Sequence, residues 1–159
     1  MLTTNRRGAG FTLLEVLVVV SILGMLSAIA IAAYTTYLDK GKYAQAYEDL
    51  RTIRVAIELL ASDTERWPGP NPVGVTADQE VWNLNLDVAG LVNTNGAFPN
   101  WKGPYTDQVP QDPWGSNYFF DPDYTINGNT YVVIGSFGPN RVGPNLYDTD
   151  DLVLKLPTP

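Results

Sequence analysis

The apolar residues of this chain are unevenly placed, and their spacing changes partway along. Residues 16–33 are almost wholly apolar, interrupted only by Ser21, Gly24 and Ser27. As a helix rising ~1.5 Å per residue, a segment of ~18 residues reaches ~27 Å, close to the ~30 Å hydrocarbon thickness of a bilayer. Beyond it, Tyr43, Ala46, Tyr47, Leu50, Ile53, Ile57, Leu60 and Ala61 recur at spacings of three and four, one face of an amphipathic helix. Glu48, Asp49, Arg51 and Glu58 fall largely on other faces. No proline lies between Phe11 and Trp67, and Gly24 and Gly41 are the only glycines there. Trp67-Pro68-Gly69-Pro70 then stops any helix. The pattern predicts one helix over about residues 11–62, apolar all round in its first half and one-sided in its second.

The remainder reads differently. Residues 67–115 are rich in turn formers (PGPNP, NTNG, FPNWKGP, PQDPWG) and carry little periodicity, which predicts a long ordered loop with one short helix near residues 78–91. Strand signals follow: an aromatic run over residues 117–120, the β-branched and aromatic TYVVIGS of residues 130–136, and LVLKL at residues 152–156. Asn127-Gly128 before the second run is a hairpin turn signal. The fold class expected is α+β: one long helix packed on a small antiparallel sheet with long loops. The organisation expected is a leader over residues 1–10, a membrane-spanning half-helix over 11–34, an amphipathic half-helix over 35–63 and a globular head over 64–159.

Composition narrows the chemistry. The chain has no Cys and no His, so disulfides and thiolate metal sites are excluded and the commonest general base is missing. The net charge of -7 speaks against nucleic-acid binding, which needs basic patches. Most carboxylates lie in the second half, where they can attract divalent cations. No Ser, Lys or carboxylate pair has the setting of a nucleophile with its base, so the expectation is a protein that is not an enzyme. Trp67, Trp82, Trp101, Trp114 and the tyrosines between turns predict the core of a small loop-rich domain rather than a stacking surface.

The N-terminus carries the mechanism. Arg6 and Arg7 precede the apolar block and keep that side in the cytoplasm. Glu15 is an acid inside an apolar span, a placement that costs about 2.5–3.5 kcal/mol at a helix centre and less one turn from its start. If the chain is cut between Gly10 and Phe11, the new amine can meet Glu15 of a neighbouring chain staggered by about one turn. That pairing neutralises both charges in a low dielectric and fixes the register between subunits. The alternative is that Glu15 snorkels to the headgroups of a simple anchor.

The run GAG-FTLLEVLVVVSILGMLSAIAI resembles the N-terminus of type IV pilins and type II secretion pseudopilins. The resemblance implies cleavage after Gly10 by a prepilin peptidase, N-methylation of Phe11, and a role for Glu15 as the assembly acid. It also implies copies of the same chain, minor pseudopilins and an inner-membrane assembly platform as partners. The localisation implied is an inner-membrane precursor with its head outside the cytoplasm, later a periplasmic or extracellular filament. Ala32 stands where the family often has proline, which puts local melting of the helix there in doubt. Gly103-Pro104-Tyr105, Val109-Pro110, Asp112-Pro113-Trp114-Gly115 and Tyr118 resemble the loop of the major pseudopilin, a block also similar to that of some minimal pilins. The function implied is a filament subunit: a major pseudopilin or a major type IV pilin.

Ser136-Phe137-Gly138-Pro139-Asn140 and Asp148-Thr149-Asp150-Asp151-Leu152 resemble that family's closing loop, which binds one calcium ion. Ser136, Asn140, Asp148, Asp150 and Asp151 become the implied ligands, and their oxygen count suits calcium. Asn140 replaces a usual Asp, which removes a charge from the site. Taken without the resemblance, the same residues also describe a solvated acidic loop. Ala28-Ile29-Ala30 keeps open a different class of protein, a secreted binding protein cut by signal peptidase.

Overall fold

The structure, a computed structural model, describes residues 10–75 and 79–157. Arg6, Arg7 and the rest of the predicted leader before Gly10 lie outside the described residues, as do the side chains of Ala32 and Ala33. The chain divides into two compact units, Met1–Gly41 and Lys42–Pro159. A single helix, α1 (Leu13–Thr64), supplies residues to both.

In the first unit α1 is apolar on every side. Leu13, Leu14, Leu17, Val20, Leu23, Met25, Ile29 and Ile31 are all exposed, and the helix contains a window with mean hydropathy 2.7 of which none is buried. A helix hydrophobic all round belongs in lipid or against other helices. It begins on a reciprocal cap. The Glu15 N–H donates to Thr12 Oγ1 at 3.2 Å, and the Thr12 N–H donates to Glu15 Oε2 at 2.8 Å. This is the Thr-x-x-Glu capping box, which satisfies two otherwise orphaned donors.

The second unit holds the core. Ala46, Leu50, Ile53, Ala56, Ile57 and Leu60 form the buried stripe of α1. Tyr43 and Tyr47, read from the sequence as part of that stripe, lie at its edge: Tyr47 is exposed, and Tyr43 meets the Trp114 ring edge-on at 5.0 Å. Large rings on the margin of a narrow helix face reach past it. The helix ends where Glu65 turns left-handed (φ 56) and the Thr64 hydroxyl donates back to the Leu60 carbonyl at 2.7 Å. Two short strands follow, β1 (Arg66–Trp67) and β2 (Asn71–Pro72), paired antiparallel. Of the short helix expected near residues 78–91, a single 3-10 turn forms at Asp87–Ala89.

The sheet consists of β3 (Phe119–Ile126), β4 (Asn129–Ser136) and β5 (Leu152–Lys155), antiparallel and in that order. Asn127 and Gly128 both take positive φ, 52 and 77, as a two-residue hairpin with right-handed strand twist requires. Strand β3 runs longer than the aromatic run that signalled it, through Pro122. Pro122 costs no ladder bond because β3 is an edge strand with a register shift between Asp121 and Tyr124.

Both faces of the sheet are covered. Phe120, Val132, Ile134, Leu152 and Leu156 join the cluster that contains the α1 stripe. Phe119, Tyr124 and Val133 face the other way and are covered by Trp82, Tyr131, Phe137 and Val153. This is why β4 reads as a continuous apolar run rather than an alternation.

Tyr118, fully buried, ties the strand region to α1 by donating its hydroxyl to Asp49 Oδ2 at 2.8 Å. Burial, with the Asp49 carboxylate as its acceptor, pushes that phenol well above its ordinary range. Tyr118→Phe removes the bond and keeps the ring, so it is expected to cost about 1–2 kcal/mol in denaturant unfolding. A change below about 0.3 kcal/mol would mean the bond carries no net stability.

Candidate functional site

Two groups of residues carry the expected chemistry, one in each unit. The first is the N-terminal segment. Gly10 and Phe11 precede α1 in irregular backbone, and Phe11 is 86% exposed. A peptide bond outside the helix and open to solvent can enter a protease cleft, whereas one inside α1 would first have to unwind. Glu15 sits one turn into α1 with its carboxylate turned back on the Thr12 N–H and, at 3.0 Å, on the Thr12 hydroxyl. The chain thus presents its only acid of this segment at the helix start, next to the bond whose cleavage would create an amine. An acid there also complements the positive end of the helix dipole.

The capping role was legible from Thr12-Leu13-Leu14-Glu15 and was missed because the acid was read for its charge alone.

The second group is the closing loop between β4 and β5. The five residues expected to hold calcium separate into two sets. Ser136 is fully buried, donates its hydroxyl to Asp112 Oδ2, and accepts the Gly138 N–H at 3.0 Å. Its oxygen is committed to a structural network. The other four are neighbours in the loop. Asn140 Nδ2 donates to Asp148 Oδ2 at 2.8 Å, and Asp148 Oδ1 accepts the Asp150 N–H at 2.8 Å. Asp151 accepts the Tyr124 hydroxyl on Oδ2 at 2.6 Å, while its Oδ1 is buried without a partner. Burial pushes the Asp151 carboxyl up, with the Tyr124 bond opposing and the Asp148 charge adding to the push. The two ends of the loop approach closely: a Cβ at Gly138, φ 65, would collide with the Asp150 carbonyl. The donor set fits calcium only in part: Asp151 Oδ1 is buried without a partner, while Asp148 is engaged by Asn140 and the Asp150 N–H. Among the described residues no three acidic side chains converge on one point.

Sequence reasoning missed the residue that organises this region. Asp112, 4% exposed, accepts the Trp114 N–H at 3.0 Å and the Ser116 N–H at 2.7 Å on Oδ1, and Ser136 on Oδ2. The Trp114 indole of the Asp-Pro-Trp-Gly turn is buried. The carboxylate is the hub, and it joins the turn to the last residue of β4. Nearby, Lys102 and Tyr105 both reach Asp63 on α1, at 2.7 and 3.1 Å, and Trp101 Nε1 donates to the Gly90 carbonyl at 2.7 Å. The aromatic residues of the long loop therefore serve packing: Trp67 and Trp114 are buried, and Trp82 lies on Phe119 and Phe137.

Comparison with known proteins follows the same division. Residues 5–31 match the prokaryotic N-terminal methylation motif, and residues 33–145 match type II secretion system (T2SS), protein G. The type II secretion system core protein G of Aeromonas hydrophila is 34% identical over 118 residues, 72% of this chain and 73% of its own length. That of Klebsiella pneumoniae is 31% identical over 141 residues, 86% of this chain and 89% of its own. The crystal structure of the major pseudopilin from the type 2 secretion system of enterohaemorrhagic Escherichia coli superposes with a TM-score of 0.51 at 20% identity, covering 74% of this chain and 86% of that one. The likeness confirms the α+β arrangement of one long helix with a small antiparallel sheet. An N-terminal methylation motif followed by a matching head over most of its length places the chain in the type II secretion system protein G family.

Proposed function

We propose that this chain is the repeating subunit of a type II secretion pseudopilus. It is made as an inner-membrane precursor with its head outside the cytoplasm, cut between Gly10 and Phe11 by a prepilin peptidase and methylated on Phe11. The assembly platform then draws it into a filament of identical chains, with minor pseudopilins as further partners. The role is structural and not catalytic. One observation carries the reading: an apolar, uncovered half of α1 starts at a capped acid directly behind an exposed, non-helical Gly10–Phe11 bond.

Assembly follows from burial. Helix packed on helix removes apolar surface from lipid-exposed positions, and the Phe11 amine of one chain meets Glu15 of the next. The apolar contacts supply adhesion without direction, and the charge pair supplies register, since a shift of one turn leaves both charges unpaired in a low dielectric. Co-expression of the full chain with a prepilin peptidase and an assembly platform should give filaments, seen by negative-stain electron microscopy, that bind antibody to the head. Processed chain that accumulates in the membrane with no filaments would contradict the proposal.

We also propose that the closing loop binds calcium weakly through Asp148, Asp150 and Asp151, with Asn140 lowering the charge of the site. Ser136 takes no part. Calcium should raise the melting temperature of the detergent-solubilised chain by a few degrees, as saturation at about 100 times Kd gives ~2.7 kcal/mol. The rise should shrink in the Asp148→Asn, Asp150→Asn double variant. A rise of undiminished size would remove the loop as a calcium site.

A further inference from the structure

The head carries a second group of acids on β3, apart from those of the closing loop. Between the pairs Asp121↔Val133 and Tyr124↔Tyr131, β3 has two residues, Pro122 and Asp123, where β4 has one, Val132. That count is a β-bulge, and bulges re-aim the side chains beside them. The Asp123 N–H donates to Asp121 Oδ1 at 2.9 Å, which folds the two acids onto one another. Asp121 is 0% exposed and its Oδ2 has no hydrogen-bond partner; Asp123 Oδ1 is likewise buried and unpartnered. A buried carboxylate without a counter-charge is strongly unfavourable.

Nothing basic in the vicinity relieves it. The ion pairs among the described residues are Arg51–Glu48, Arg54–Glu58 and Lys102–Asp63. Lys155 stands in the same cross-strand row, through Val133, but its Nζ lies over the Tyr131 ring, 3.2 Å from the centroid. The other groups facing the pair are Tyr147, whose hydroxyl is in hydrogen-bonding reach of the Asp121 carboxyl, and Tyr124, tilted against Tyr147 with ring centroids 4.3 Å apart and bonded to Asp151. All are neutral phenols or further acids.

We propose that Asp121 and Asp123 form a divalent-cation site of the calcium class, separate from the acidic residues of the closing loop. Two carboxylates that each keep an unused oxygen are hard donors at adjacent positions, which suits an oxygen-seeking cation with flexible coordination. The remaining ligands are carbonyls, water and the Tyr147 hydroxyl. With two charges and no third acid, the site belongs to the weak class, Kd about 10⁻⁴ to 10⁻³ M, suited to a head outside the cytoplasm. The site needs none of Asn140, Asp148, Asp150 and Asp151, and it is independent of the filament reading.

The test uses the full chain in detergent micelles, with terbium luminescence sensitised by the surrounding tyrosines and competed by calcium. In the Asp148→Asn, Asp150→Asn variant a calcium-competed terbium signal is expected to persist. In Asp121→Asn, Asp123→Asn the same signal should fall at least about tenfold in affinity, as expected for loss of both ligand charges. Asparagine fills the same volume without the buried charge. In excess chelator the β3 variant should therefore melt no lower than the wild type, and it should gain less from calcium. The single Asp123→Asn variant, whose side chain is half-buried, provides the same reading should the double variant fold poorly. Undiminished terbium binding in both β3 variants would overturn the proposal. So would loss of all binding in the loop variant, or a wild-type chain that binds no cation.

Discussion

Replacing Glu15 by alanine leaves the chain in the membrane and lowers filament recovery by roughly 100-fold, the factor that corresponds to breaking a buried charge pair at ~3 kcal/mol or more. Insertion survives because the apolar span is intact and loses its one costly residue. Assembly fails because the Phe11 amine of the neighbour is left charged and unpaired among apolar helices. The structure adds a complication that alanine alone does not resolve. Glu15 also closes the capping box with Thr12, and loss of a cap costs about 1 kcal/mol by itself. Glutamine separates the two roles. Its side-chain oxygen can still accept the Thr12 N–H, so the cap is kept while the charge is removed. Glu15→Gln is expected to fail nearly as badly as Glu15→Ala in filament yield by sedimentation. Recovery close to wild type with glutamine would reduce Glu15 to a helix cap and remove the charge-pairing step.

Asp112→Ala should lower the unfolding free energy of the head by about 3–4 kcal/mol, read from denaturant unfolding followed by near-ultraviolet circular dichroism. Three donors converge on this carboxylate, two backbone N–H groups of its own turn and the Ser136 hydroxyl at the end of β4. Alanine leaves all three without a partner in a region shielded from water. The damage should spread, because Ser136 also receives the Gly138 N–H where the closing loop departs. The loop over the outer sheet face should become protease-sensitive as a result. Asparagine keeps one oxygen acceptor, and the Ser136 hydroxyl can rotate to accept the amide, so Asp112→Asn should lose roughly half as much. A loss under about 1 kcal/mol for Asp112→Ala would show that the turn is held by the buried Trp114 indole instead.

The parts of this molecule that could be read from its sequence share a physical cause: short-range periodicity. The long helix, its apolar first half and its buried stripe at Ala46, Leu50, Ile53, Ile57 and Leu60 follow from spacings of three and four. The hairpin follows from Asn127-Gly128, two residues that accept positive φ. What could not be read depends on residues distant in sequence. Tyr118 finds Asp49 across 69 positions, and Ser136 finds Asp112 across 24. No local pattern announces either partner. Ser136 was placed in a metal site through the resemblance of its segment to a calcium-binding loop, whereas its neighbours in space are a buried turn. The pair Asp121 and Asp123 was passed over for the opposite reason: Asp-Pro-Asp reads as a solvent turn, and only the bulge in β3 turns it inward. Thr12 and Glu15 were legible as a capping box and were read for charge alone.

The central claim is that cleavage between Gly10 and Phe11 creates the amine that Glu15 receives, with the apolar rod retained in the mature subunit. Intact-mass and N-terminal peptide mass spectrometry of the chain recovered from assembled filaments tests it directly. The account predicts a chain beginning at Phe11 and carrying one N-methyl group, with residues 13–41 present. A mature chain beginning at Ile31, free of the membrane, would contradict it.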